Sequence, residues 1–232
     1  MEIKIWSDVR CPFCYIGKKK FEKALESFPQ KDKVKITWKS FQLDPSLQTN
    51  ANASTLEYFV KTKGVRPEQA RQMFRGATTM AREVGIDFNL EESIPANSFM
   101  AHRLIQLAKS KELGNEIEEA LFKAHFEEVK NTDDPEVLVE VATSIGMNAE
   151  EVKTVLESDD FAYEVKQDEL EARNIGVRGV PFFVFDDKYA ISGAQPSEAF
   201  LQTLEKAWKE FKPKAGLEIS EGDSCSTDGT CN

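Results

Sequence analysis

The sequence is poor in what several function classes need. It has no excess of positive charge: 30 Lys and Arg stand against 40 Asp and Glu, a formal net charge of -10. Phosphate binding needs a basic surface, so no nucleic-acid partner is expected, and no docking on anionic membranes. It has no long apolar run either. The longest, Val180 to Phe185, is broken by Pro181, far short of the ~20 residues that cross a bilayer. A secretory signal would need a basic start, an apolar stretch and a small-residue cleavage site. Met1-Glu2-Ile3-Lys4-Ile5-Trp6 instead reads as a strand at once. With Met1 as the natural start, a cytoplasmic protein is expected. Histidine is scarce, with 2 residues, and cysteine nearly so, with 4. In a reducing cytosol these cysteines are not expected to form a structural disulfide framework. Redox, catalytic or metal-binding roles remain.

What is present suits one split domain. At ~150 residues per domain, 232 residues with 41% hydrophobic side chains bound the count at one or two. Ile3 and Ile5 alternate with Glu2 and Lys4, predicting a strand over 2–6. Phe21, Ala24, Leu25 and Phe28 form a helical stripe that Pro29 ends. Val34, Ile36 and Trp38 alternate with lysines and Thr37, predicting a second strand over 33–43. This β-α-β order favours a parallel pair with a helical crossover. From 55 to 173 no strand pattern occurs. Amphipathic helices start at Pro67, near a capping Asn97, around Ile117, at Pro135, after Asn148 and near 159. The chain then reads Gly179-Val180-Pro181-Phe182-Phe183-Val184-Phe185, a buried strand, followed by a short partner at Tyr189-Ala190-Ile191 and a last helix from Pro196. The fold class predicted is α/β. Residues 1–54 and 174–212 form one sheet-containing unit, 55–173 an inserted all-helical domain, and 213–232 a polar tail without regular structure.

Cys11 and Cys14 form a C-x-x-C between the first strand and the first helix. Unpaired N–H groups and a partial positive charge at a helix start favour a thiolate there. Cys11 is therefore the expected nucleophile and Cys14, one turn inside, the resolving thiol. Pro12 suits the first turn because it has no N–H to lose. Arg10 adds a nearby cation. A mixed disulfide would form on Cys11 and be released by Cys14. The rival is half a zinc site, but a structural zinc needs four ligands, and His102 and His125 are distant in sequence. No bound metal is expected. Pro181 reads as a cis-proline turn that would bring the backbone of Val180 beside the sulfurs, open to strand-like pairing with a peptide. Phe13 is expected to be exposed and to face substrate. Trp6 and Phe182 are assigned to packing, and Tyr15 is a further candidate for the apolar rim. For His102 and Arg103 the structural reading puts Arg103 against an acid and His102 partly buried.

Four segments carry a resemblance. Ser7-Asp8-Val9-Arg10-Cys11-Pro12-Phe13-Cys14-Tyr15-Ile16-Gly17 resembles the active-site segment of cytosolic DsbA-like thioredoxin-fold proteins of the FrnE group. Ala101-His102-Arg103-Leu104, Gly179 to Val184 and Ser192-Gly193-Ala194-Gln195-Pro196 match the same group in the same order. The resemblance implies a thioredoxin-like fold with an inserted helical domain and thiol–disulfide oxidoreductase activity, with isomerase or chaperone character. It carries over Cys11 as nucleophile, Cys14 as resolving thiol and Pro181 as the cis-proline. It implies no cofactor beyond glutathione as a redox partner, and disulfide- or thiol-containing proteins or small thiols as partners. Two positions depart from thioredoxin and DsbA: Ile5 stands where they keep a buried acid, and Phe13 where DsbA has a histidine. Proton transfer then depends on water or another group, and the pair is expected to be less oxidising than DsbA. The sequence leaves monomer and homodimer open.

Cys225 and Cys231 lie in the tail, with Gly229 between them to allow a turn. Some FrnE-group proteins carry such a pair. The stretch from Pro213 to Cys225 typically spans roughly 20 Å, enough to reach the first pair. The readings are a second redox pair exchanging with Cys11, a soft-metal site, or a plain tail. The expected resting pairing is 11–14 with 225–231. The functional rivals are a glutathione-dependent isomerase or transferase of small aromatic substrates, and a chaperone or metal-binding protein.

Overall fold

The structure, a computed structural model, describes residues 1–212. Cys225, Cys231 and the rest of the tail lie outside the described residues. Strand β1 (Glu2–Ser7) buries Ile3 and Ile5 and leads through Asp8 to Arg10 into helix α1 (Pro12–Glu26). After a 3-10 turn at Lys31–Lys33, strand β2 (Lys35–Ser40) pairs parallel with β1, with Ile3 opposite Ile36 and Ile5 opposite Trp38. The second strand is shorter than the predicted 33–43, because the lysine-rich turn consumes its start.

Seven helices follow: α2 (Thr55–Lys63), α3 (Pro67–Arg82), α4 (Phe99–Ser110), α5 (Gly114–Phe126), α6 (Pro135–Ser144), α7 (Ala149–Glu157) and α8 (Ala162–Asn174). Helix α2 was not anticipated. Its signal is a capping box: the Glu57 N–H donates to Ser54 Oγ and the Ser54 N–H to Glu57 Oε2, at 3.2 and 2.9 Å. Helix α8 begins later than expected, after Phe161 at φ 63°. The chain returns through strands β3 (Phe182–Phe185) and β4 (Tyr189–Ser192) and ends in helix α9 (Ser197–Glu210).

The sheet order is β2-β1-β3-β4, with β3 antiparallel to both neighbours. This is a thioredoxin-like fold with a helical insert between β2 and β3. Phe21 of α1 packs on Phe183, Phe185 and Phe200, ring centroids 5.6, 6.3 and 5.8 Å apart, and so ties α1 and α9 to the sheet. The insert packs in two places: Phe74, Ile86, Phe88, Phe122 and Phe126 cluster with Cys11, Cys14, Tyr15 and Ile16, and other insert residues join the core of the sheet. Ala101, Leu104, Ile117, Leu138 and Val152 belong to the same cluster as Ile3, Ile5 and Phe183. An unpaired sheet edge invites association, and β2 is covered instead by α8. Asp168 accepts the Ser40 N–H at 3.0 Å and Glu169 the Gln42 N–H at 3.3 Å. Trp6 is fully buried, donates its indole N–H to the Asp168 carbonyl at 2.9 Å and packs edge-on against Phe182, as its assignment to packing expects.

Candidate active site

Cys11 is the N-cap of α1, with extended backbone angles, and Pro12 follows in the first turn. The Cys11 N–H donates to the Asp8 carbonyl and the Cys14 N–H to the Cys11 carbonyl, both at 2.9 Å. These two turns place both sulfurs at the positive end of the helix. Cys11 is 4% exposed and Cys14 1%. Both are free thiols rather than the disulfide expected at rest. Burial, and next the adjacent Cys11 sulfur, push the Cys14 thiol well above its ordinary value, against the Ser7 hydroxyl and the Asp8 backbone.

The facing loop comes from the other end of the chain. The Val180–Pro181 peptide bond is cis. The Cys11 thiol donates to the Val180 carbonyl, Sγ to O 3.5 Å. Gly17 makes this approach possible: a Cβ there would stand 3.0 Å from Pro181 Cγ. The Pro181 carbonyl in turn accepts the Gly193 N–H at 2.8 Å, holding the loop before α9 against the site. The four resembling segments thus meet around one helix start, although they are spread over most of the chain.

Phe13 is 41% exposed and Leu43, just beyond β2, is 49% exposed. They give the rim an apolar surface. Tyr15 does not belong to it. Its ring is buried and stacked on Phe122 at 5.0 Å, and its hydroxyl donates to Glu119 and Glu127, both at 2.9 Å. Arg10 lies over the Tyr58 ring, 5.2 Å from its centroid. Its Nη1 is buried with no hydrogen-bond partner among the described residues.

Sequence reasoning missed the polar group behind the thiols. Asp8 is fully buried and accepts the Leu43 N–H at 2.7 Å and the Arg10 N–H at 3.3 Å. His102 is buried, not partly exposed, and its Nε2 is 3.6 Å from Asp8 Oδ1. Burial works to raise the Asp8 carboxyl, but the facing His102 and the Leu43 N–H outweigh it and hold it low. Burial works to lower His102, and Asp8 with Glu118 and Glu169 outweighs that and raises it. Arg103 does not pair with an acid. It donates to the backbone carbonyls of Asp160 at 2.8 Å and of Val155 and Ser158, tying α4 to the α7–α8 turn. The planar guanidinium thus gathers carbonyls from the last turn of α7 and the segment that follows it. A signal for Asp8 existed in the sequence, an acid inside the active-site segment, but only the fold shows that it faces inward.

A sheet in this order, a C-x-x-C at the first helix and a cis-proline loop against it define a thioredoxin-fold thiol protein. Residues 2–205 match the DSBA-like thioredoxin domain, and the chain belongs to that family, the DsbA-like thiol–disulfide oxidoreductases. The YwbO protein of Bacillus subtilis (strain 168) is 27% identical over 215 residues, 90% of this chain and 98% of that protein. The probable DsbA oxidoreductase SCO1869 from Streptomyces coelicolor superposes with a TM-score of 0.86 at 37% identity, covering 100% of this chain and 98% of that one. The cytosolic disulfide reductase DsbM from Pseudomonas aeruginosa shares the fold at a TM-score of 0.63 and 15% identity, over 91% of this chain and 100% of that one. No described helix is long and apolar enough to cross a membrane.

Proposed function

We propose that this protein exchanges dithiol for disulfide through Cys11 and Cys14, on protein or small-molecule disulfides. The observation that carries this is the seat of Cys11: the N-cap of α1, its sulfur 3.5 Å from the Val180 carbonyl of the facing loop. The Cys11 thiolate attacks one sulfur of the substrate disulfide, and the other leaves as a thiolate. The resulting mixed disulfide is attacked at Cys11 Sγ by Cys14, which expels the second substrate thiolate and closes the 11–14 disulfide. Two electrons pass from the pair to the substrate, and solvent protonates the released thiolates. The reverse sequence oxidises a substrate dithiol.

Pro12, Phe13, Val180 and Pro181 form the substrate-binding surface in this reading. Phe13 gives apolar contact, and the Val180 backbone pairs with an extended peptide. Arg10, with its unpartnered Nη1, suits a carboxylate of a small thiol such as glutathione, which serves as redox partner. A reducing cytoplasmic setting belongs to the same reading. Cys225 and Cys231 act as a second pair that exchanges with Cys11.

Insulin reduction tests it, with the wild type and Cys11→Ser. Turnover is expected to vanish in the variant, and turnover that survives overturns the reading. The same preparation of Cys14→Ser, analysed by mass spectrometry, is expected to accumulate Cys11–Cys225 or Cys11–Cys231 adducts. Their absence removes the tail from the cycle.

A further inference from the structure

Charge is spread unevenly over the chain. Residues 55–82, which hold α2 and α3, carry six Lys and Arg against two Glu, in a chain with a net charge of -10. Two of these cations are paired: Arg71 lies 3.6 Å from Glu91 and Arg82 3.4 Å from Asp87, both acids of the segment after α3. Lys61, Lys63, Arg66 and Arg75 are exposed and make no ion pair among the described residues.

This basic hairpin stands beside the thiols. Its inner face, with Phe74, Ala77 and Ala81, belongs to the cluster of Cys11 and Cys14, and Leu56 and Phe59 pack on that cluster. The Tyr58 ring of α2 carries the guanidinium of Arg10, the neighbour of Cys11. The apolar side chains of the hairpin are incompletely covered: α2 buries no residue fully, and Met73 of α3 is 55% exposed. A segment that fits this surface brings several carboxylates and a few apolar side chains.

The chain itself contains such a segment. Leu217-Glu218-Ile219-Ser220-Glu221-Gly222-Asp223, outside the described residues, has three acids, no cation and two apolar side chains. Helix α9 ends at Glu210, whose carboxylate accepts the Tyr189 hydroxyl at 2.7 Å. That contact is at the β3–β4 turn, where the Asp186 N–H meets the Glu2 carbonyl, so the tail starts at the sheet end opposite the thiols. At ~3.3 Å per residue the chain from Phe211 to Leu217 covers roughly 20 Å, about the length of β1, and to Asp223 roughly 40 Å.

We propose that residues 217–223 dock on the outer surface of the α2–α3 hairpin, with Glu218, Glu221 and Asp223 against Lys61, Lys63, Arg66 and Arg75. Cys225 follows two residues later, and docking holds it near the rim of the thiol site. Exposed ion pairs are individually weak. A tether offsets this, because it gives an effective concentration of about a millimolar, at which a contact of about millimolar affinity is occupied about half of the time. A separate acidic protein has to approach against the net charge of the whole chain, whereas the tail is already attached. The docking involves no thiol chemistry and goes beyond the oxidoreductase reading, so a failed insulin reduction leaves it standing.

The experiment uses the full-length chain carrying Cys225→Ser and Cys231→Ser, so that no disulfide holds the tail. A carbodiimide joins a carboxylate to an amine where the two meet, and mass spectrometry of the monomer locates the links. Lys111 and Glu151, 2.7 Å apart and both exposed, serve as the internal standard. Links from Lys61 or Lys63 to Glu218, Glu221 or Asp223 are expected within one chain, at a yield independent of protein concentration. Arg66→Glu together with Arg75→Glu keeps every linking group and is expected to cut that yield at least about fivefold relative to the standard. Salt at about 1 M, where charges are screened within ~3 Å, is expected to cut it similarly. The standard forming without tail links overturns the docking, as do links found only between two chains or a yield unchanged by the arginine substitutions. If the doubly substituted protein does not fold, the parent decides alone: a tail yield that salt leaves unchanged overturns the docking.

Discussion

Two buried side chains near the thiols bind protons far from where they would in water. Glu118 is pushed up to about 7 by burial, against His102 and Lys18. His125 is pushed down to about 4 by burial and then by Arg10, against Asp8. The native carboxyl of Glu118 holds its proton more tightly than the unfolded one. Its contribution to stability is complete below the unfolded value of 4.5 and is lost as pH rises through 7. His125 works in the opposite direction. Native His125 binds its proton less tightly, so its contribution is complete above 6.5 and is lost as pH falls through 4. At 1.36 kcal/mol per pKa unit each is worth about 3 kcal/mol, and over the shared window they oppose one another. Each substitution should therefore expose the other. Glu118→Gln is expected to stabilise the protein at pH above 7, by at most about 3 kcal/mol, and to leave a slope of falling stability toward acid. His125→Gln is expected to stabilise it at the acid end and leave falling stability toward alkali. Urea unfolding midpoints across this pH range check both, and curves parallel to wild type refute them.

Among the elements, α8 has a task that its own sequence does not announce. Its burial stripe is weak, with Val165, Asp168 and Ala172 inward. The helix could be expected from 159–173, but not that its aspartate would close the edge of β2. Asp168 Oδ1 is 2.7 Å from Lys39 Nζ. Its Oδ2 accepts the Ser40 N–H at 3.0 Å and the Gln106 amide at 2.6 Å, with Lys109 Nζ 3.6 Å away. One carboxylate thus joins β2, α4 and α8. Removing one member of a buried charged group leaves its partners desolvated and unpaired, so Asp168→Ala is expected to cost about 3 kcal/mol in denaturant unfolding. A loss below about 1 kcal/mol, the range of an exposed ion pair, refutes the assignment. The β1-α1-β2 order was legible because Ile3, Ile5 and Phe21 repeat with the strand and helix periods. Helices α3 and α6 were legible from their proline starts, and α4, α5 and α7 from their apolar stripes or a capping asparagine. Helix α2 was not: it buries no residue fully, so its apolar pattern is faint, and its capping box was the only strong mark.

At the scale of the whole chain, the site joins residues that sequence reading can list but not assemble. Cys11, Cys14 and Pro181 were legible because each has a local signature. The Asp8, His102 and Glu118 group was not, because it needs α4 and α5 of the insert to be folded against the loop after β1. Ile5 leaves the usual acid position apolar, and the buried carboxyl of this segment is Asp8, in the loop after β1. The same long-range view bears on the redox potential. A strong oxidant such as DsbA, at about -120 mV, has a reduced form that is unusually stable. That stability requires a favoured thiolate. Here the chain carries a net charge of -10, and a further negative charge is raised in energy by the field of the whole molecule. Phe13 offers the sulfur no hydrogen bond. Each of these favours the disulfide over the reduced pair. The 11–14 couple is therefore expected to lie below DsbA, toward the reducing range of thioredoxin at about -270 mV. Equilibration against glutathione buffers measures it, and because screening weakens a net-charge field, the value should move upward as salt is added. A potential at or above that of DsbA, or one indifferent to salt, would show that the field of the acidic chain does not reach the thiols.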